Sequence, residues 1–98
     1  MIIANKILLQ EFAERHAMAA KPINRWLTIV ENAQWKSHND LKIQFPQADY
    51  VGNARYVFNL SGNHYRLVTI VVFIAGVLDI RFVGTHAEYD RIPDCSTI

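Results

Sequence analysis

The sequence predicts an α+β fold: an N-terminal helical hairpin packed on a curved, mainly antiparallel sheet of three to four strands, with a short C-terminal helix. Three observations predict it. Apolar residues recur at helical spacing through the first third of the chain. Three strand-like segments separated by glycine-containing turns occupy the second half, and the last of them runs into a Thr-x-x-Glu helix start. Ninety-eight residues suit one domain over 1–98. With 51% hydrophobic and 19% charged residues, the chain is too apolar for disorder and should bury one core.

Residues 1–4 have the composition of a short strand, and Asn5 is placed to cap a helix running to about Ala19. On that helix Leu8 and Phe12 share a face, and Glu11 and Arg15 form an i,i+4 pair. Pro22 then sits where a first helical residue belongs, and Ile23, Trp26, Leu27, Val30 and Ala33 recur at helical spacing. The pattern breaks over 35–53, where Ser37, Asn39, Pro46, Gly52 and Asn53 mark a long connection with room for a turn of helix around Leu41. Lys36 and Lys42 are the basic groups of that connection.

Strands are predicted over 55–60, 64–73 and 77–83, joined by Gly62-Asn63 and Ala75-Gly76 as two-residue turns. Those turns set a register: Asn59 opposite Arg66, Arg55 opposite Ile70, Ile70 opposite Arg81 and Asp79 opposite Val72. Alternation places Tyr56, Phe58, Leu60, Tyr65, Leu67, Val71, Phe73, Leu78, Ile80 and Phe82 on one apolar face, to be covered by the helices. The other face collects Arg55, Asn59, Ser61, His64, Arg66 and Arg81, with Asp79 as its one carboxylate. A net charge of +1 gives no bulk signal for nucleic acid. This face is nevertheless a local cationic patch of the kind that binds anions.

The last strand ends at Thr85, and Thr85 with Glu88 has the form of a capping box, so a helix starts at His86. A histidine at that junction can give or take a proton near neutral pH. Cys95 is the single cysteine, which excludes an internal disulfide and a cysteine metal cluster and suits a reducing, cytoplasmic setting. Asn5, Lys6 and Glu11 interrupt the N-terminal apolar stretch too early for a signal peptide, and the uncharged run 67–78 is too short to cross a bilayer. The chain reads as soluble, without a membrane partner.

Three segments, WKSHNDLKIQFPQADYVGN at 35–53, RYVFNLSGNHYRLV at 55–68 and IRFVGTHAEYDRI at 80–92, resemble the HigB-type toxins of the RelE/ParE superfamily. These are the toxic halves of bacterial type II toxin-antitoxin pairs. The resemblance implies a RelE-like domain that cleaves messenger RNA on the translating ribosome by attack of the ribose 2′-hydroxyl, with no metal, cofactor or protein nucleophile. It implies a cognate antitoxin with a helix-turn-helix domain as partner, and contact with operator DNA only through that complex. Arg66 and Arg81 match positions whose cations hold the scissile phosphate, and His86 and Tyr89 match the catalytic pair. Lys36, Lys42, Arg55, Asn59 and His64 are the further candidates for RNA contact, His64 at a position that often carries lysine in relatives. Two other readings belong to the same resemblance: a toxin of this fold that binds a protein target such as DNA gyrase, or a catalytically weakened relative that retains antitoxin binding.

Overall fold

In the computed structural model, which describes residues 1–98, one five-stranded mixed sheet organises the chain. Its strands are β1 (Ile2–Ala4), β2 (Asp49–Gly52), β3 (Arg55–Leu60), β4 (Tyr65–Val72) and β5 (Val77–Thr85), in the order β1-β5-β4-β3-β2. β1 runs parallel to β5, and every other pair is antiparallel. The sheet is therefore larger than the three to four strands expected. The additional edge strand, β2, lay hidden in the long connection because its sequence is Asp-Tyr-Val-Gly, and Asp and Gly are poor strand formers.

The helices are α1 (Lys6–Arg15), α2 (Ala20–Glu31), α3 (His38–Gln44) and α4 (His86–Asp90), with 3₁₀ turns at Ala17–Ala19 and Cys95–Thr97. None is long and apolar enough to cross a membrane. α1 ends at Arg15, four residues before the expected stop, and the chain tightens into a 3₁₀ turn before α2. Asn5 precedes α1 in a left-handed conformation (φ 65°) but does not cap it with its side chain. Its Nδ2 donates instead to Asp79 Oδ1 at 2.6 Å, tying the start of α1 to β5. Ser37 does cap α3, accepting the N–H of Asp40.

One face of the sheet packs against the helices through Leu9, Phe12, Ile23, Trp26 and Val30 from α1 and α2, and Phe58, Leu67, Leu78 and Ile80 from the strands. Phe58 sits edge-on to Trp26 and Phe45, at ring distances of 5.4 and 5.0 Å. Burying an aromatic or aliphatic side chain of this size is worth about 1.5 to 3 kcal/mol, so this layer carries most of the stability.

The two hairpins keep their expected register unequally. β3 and β4 pair as Gly62-Asn63 predicts, with Asn59 opposite Arg66 and Arg55 opposite Ile70. β4 and β5 do not: Ile70 pairs with Asp79 rather than Arg81, and Val72 with Val77 rather than Asp79. The turn is longer than two residues. Phe73 accepts the N–H of Gly76, Gly76 takes a left-handed φ of 68°, and Ile74 projects into solvent. A slip of two residues preserves the side of the sheet, so Leu78 and Ile80 still enter the core. A bulge then follows, since Thr69 pairs with Ile80 and Val68 with Phe82, leaving Arg81 as the extra residue. This shift by one moves Phe82 to the opposite face from the one expected, and Val83 packs toward the core instead.

The face bearing Arg66 is consequently not an open polar surface. Val57 and Val68 on it are buried, and the pairing sets Asp49, Val57, Val68 and Phe82 in one row across the strands. Residues 86–98 cross this face. Arg55 donates to the Ile98 carbonyl oxygen from Nε and from a terminal nitrogen, at 3.1 and 2.7 Å, and Asn53 Nδ2 donates to Ser96 O at 3.1 Å.

Candidate active site

The capping box predicted at the end of β5 is formed. Thr85 Oγ1 accepts the Glu88 N–H at 3.2 Å, and Glu88 Oε1 accepts the Thr85 N–H at 2.8 Å. That backbone N–H is the main reason the Glu88 carboxyl lies below the usual glutamate range. A second tie orients the junction: the His86 N–H donates to the carbonyl of His64 at 3.2 Å, fastening the first residue of α4 to the β3–β4 turn. At Gly84, just before it, a Cβ would lie 2.5 Å from the tip of the Phe82 ring, so any larger residue requires that ring to move.

Three of the predicted residues lie at this corner, and two of them, Arg66 and Tyr89, are in contact. The guanidinium of Arg66, on β4 opposite Gly84, lies 5.8 Å from the centre of the Tyr89 ring. Its terminal nitrogens reach Asn63 Oδ1 and Tyr65 O, both at the long distance of 3.4 Å, so it is oriented loosely and keeps donors for a ligand. His86 is exposed, with Nδ1 at 2.9 Å from Asp90 Oδ2, one helical turn on. That carboxylate fixes the ring's orientation and directs Nε2 away from it. The Tyr89 phenol is pushed up to about 12, chiefly by burial, then by the neighbouring Cys95 side chain and the Asp49 carboxylate; Arg66 acts in the opposite direction. Tyr89 is thus a neutral hydrogen-bonding group across the physiological range.

The remaining candidates lie in different settings. His64 is exposed in the β3–β4 turn and joined to the corner through its backbone, and Asn59 stands opposite Arg66 on β3. Arg81, on the bulge, turns its guanidinium to Asp79 at 3.2 Å rather than toward α4. Arg55 is held by the carbonyls of Asn53 and Ile98. Lys42 donates to the carbonyls of Pro46 and Ala48 and so braces the loop after α3. Lys36 is exposed near Trp35 and Phe73, beside an apolar groove separate from this corner.

Sequence reasoning passed over Asp90, Cys95, Asn63 and Asp49. The first had a signal, because a histidine and an aspartate four apart share a helix face. Asn63 was read only as a turn residue, Cys95 follows Tyr89 across an irregular segment whose spacing carries no signal, and Asp49 lies too distant in sequence to be read from spacing.

Residues 19–92 match the HigB toxin family, described as the RelE-like toxic component of a toxin-antitoxin system. The chain is 33% identical over 85 residues to the mRNA interferase toxin HigB of Escherichia coli K12, covering 84% of this chain and 81% of that protein. An mRNA interferase HigB of Shigella flexneri matches at the same identity and coverage. A more divergent mRNA interferase HigB, from Escherichia coli O6:H1 strain CFT073, is 22% identical over 94 residues, or 94% of this chain and 91% of that protein.

Proposed function

The chain belongs to the HigB family of RelE-like toxins, and on that premise we propose that it is an mRNA interferase whose reaction is centred on Arg66, His86 and Tyr89. The juxtaposition of a loosely held guanidinium, an oriented imidazole and a neutral phenol at one strand–helix junction is the observation that carries this reading. Membership in the family brings an antitoxin partner. A helix-turn-helix antitoxin, the ribosome and a cytoplasmic setting extend the proposal.

The reaction is attack of a ribose 2′-oxygen on the adjacent phosphorus, giving a 2′,3′-cyclic phosphate and a free 5′-hydroxyl. His86 Nε2, free of the Asp90 contact, takes the 2′ proton or delivers one to the departing 5′ oxygen. Such general acid–base help is worth about 10² to 10⁴ in rate. The Arg66 guanidinium offsets the charge that builds on the phosphorane oxygens. Tyr89 stacks beneath that guanidinium and offers its phenolic hydrogen to a phosphate oxygen rather than acting as a base. Arg81 reaches RNA only after leaving Asp79, and an arriving phosphate is an anion able to compete for it. With few groups assembled by the chain itself, the ribosome contributes by holding the message in line.

Expression without antitoxin should arrest growth and produce new 5′ ends inside translated messages, read by mapping RNA ends. Intact messages with DNA breaks at gyrase sites would replace this reading with that of a protein-binding toxin.

A further inference from the structure

Beside the Arg66 corner runs a groove of about 450 Å³ between the segment after α3 and the open edge of β3 beyond β2. Its walls carry four side-chain amides, Gln44, Gln47, Asn59 and Asn63, around the partly exposed ring of Phe45, against which the buried Phe58 packs edge-on, and no charged side chain lines it. Two of the amides are partly engaged: Gln44 Oε1 accepts from Trp35 Nε1 at 2.6 Å, and Asn63 Oδ1 accepts from Arg66. Their NH₂ groups remain free, and Gln47 and Asn59 keep their full capacity to donate and accept.

We infer that this groove is a nucleobase subsite, holding a base of the bound RNA next to the phosphate at Arg66. The inference rests on the RNA-cleaving reading and adds where a base is recognised. An uncharged groove does not select a phosphate, whereas an amide presents a donor beside an acceptor, the complement of a base edge. Unstacked bases of single-stranded RNA are recognised in this way, by aromatic contact together with hydrogen bonds to their edges. The volume falls within the range of roughly 300 to 1,000 Å³ usual for small-ligand sites. Position supports the assignment as well. Asn59 faces Arg66 across the β3–β4 ladder and Asn63 touches its guanidinium, so a phosphate at Arg66 delivers its neighbouring base to this groove.

The test uses the full chain and RNA trinucleotides whose central ribose is 2′-deoxy, which prevents cleavage after that nucleotide, while NMR follows the side-chain amides of Gln47 and Asn59. Those resonances should shift to saturation, by an amount that depends on the base beside the modified sugar. Gln47→Ala should weaken the preferred trinucleotide about 5- to 150-fold, the range of one bidentate amide–base pair, and flatten the differences among the four bases. Unmoved amide resonances, or a Gln47→Ala variant with the wild-type base preference, overturn the inference. Ribosomal cleavage is measured separately. Responding amides in a chain that cuts no message would refute the nuclease reading and leave the base subsite standing.

Discussion

The two faces of the sheet are closed in different ways. Under α1 and α2 the contact is continuous and apolar, with Leu9, Leu67, Leu78 and Ile80 wholly excluded from solvent. Under α4 and residues 91–98 the apolar part shrinks to a strip of Val57, Val68 and Phe82, and hydrogen bonds at Arg55, Asn53 and His86 hold the cover in place. Apolar area supplies the larger stabilisation, and a single hydrogen bond nets only about 0.5 to 1.5 kcal/mol. The helix-covered face therefore sets stability, while the tail-covered face leaves Arg66, His86 and their neighbours free to meet a ligand without upsetting the core.

Phe58→Ala attacks this contrast where the effect is largest. Phe58 is 1% exposed and touches two aromatic rings, so emptying its site should cost about 3 to 5 kcal/mol of a total stability of about 5 to 15 kcal/mol. Phe82→Ala, on the half-buried strip, should cost clearly less. Urea unfolding compares the two, and equal losses would mean that the faces are equally responsible for stability.

His86→Gln should do the reverse. It keeps the size and a hydrogen bond toward Asp90 but cannot shuttle a proton, so single-turnover cleavage on programmed ribosomes should fall by about 10² to 10⁴. The urea midpoint should correspond to a stability change within about 0.5 kcal/mol, as for most surface substitutions. Wild-type rates in this variant, with Arg66→Ala inactive, would assign catalysis to electrostatics and RNA alignment alone.

Between these extremes lies Gly84→Ala, which links the strip to the site. Its added Cβ would meet the Phe82 ring at 2.5 Å, an overpacking that costs about 1 to 3 kcal/mol. Phe82→Leu should relieve it, and a double-mutant cycle measures the coupling. If the cycle is additive, Gly84 is there for some reason other than the ring.

What could be read from the sequence follows the same division. The helix-covered face depends on periodicity, which survives errors: a two-residue slip in the β4–β5 register still left Leu78 and Ile80 inside. The other face depends on single events with little or no sequence signal. The bulge at Arg81 reversed Phe82, and the contact of Arg55 with Ile98 and the approach of Asp49 to Tyr89 join distant segments. The capping box at Thr85 and Glu88 was legible because all its partners lie within four residues. The Arg66–Asn59 pairing was legible because a glycine-containing turn set that hairpin's register.

The smallest expected effect concerns Tyr89 and appears only at high pH. Its phenol is pushed up from 10.0 to about 12 in the folded chain, chiefly by burial. A raised folded value means that the native state holds this proton more tightly than the unfolded chain does. The associated stability is complete below about pH 10 and is lost as the pH rises toward about 12, since the unfolded phenol ionises first. Tyr89→Phe removes that ionisation, so its unfolding free energy should fall less steeply over this interval than that of the wild type. Tyr56, raised by burial on the helix-covered side, titrates in both proteins and serves as the internal control. Parallel slopes for the two proteins would mean that the cover over Tyr89 opens before it ionises, and that this face is held more weakly than its hydrogen bonds suggest.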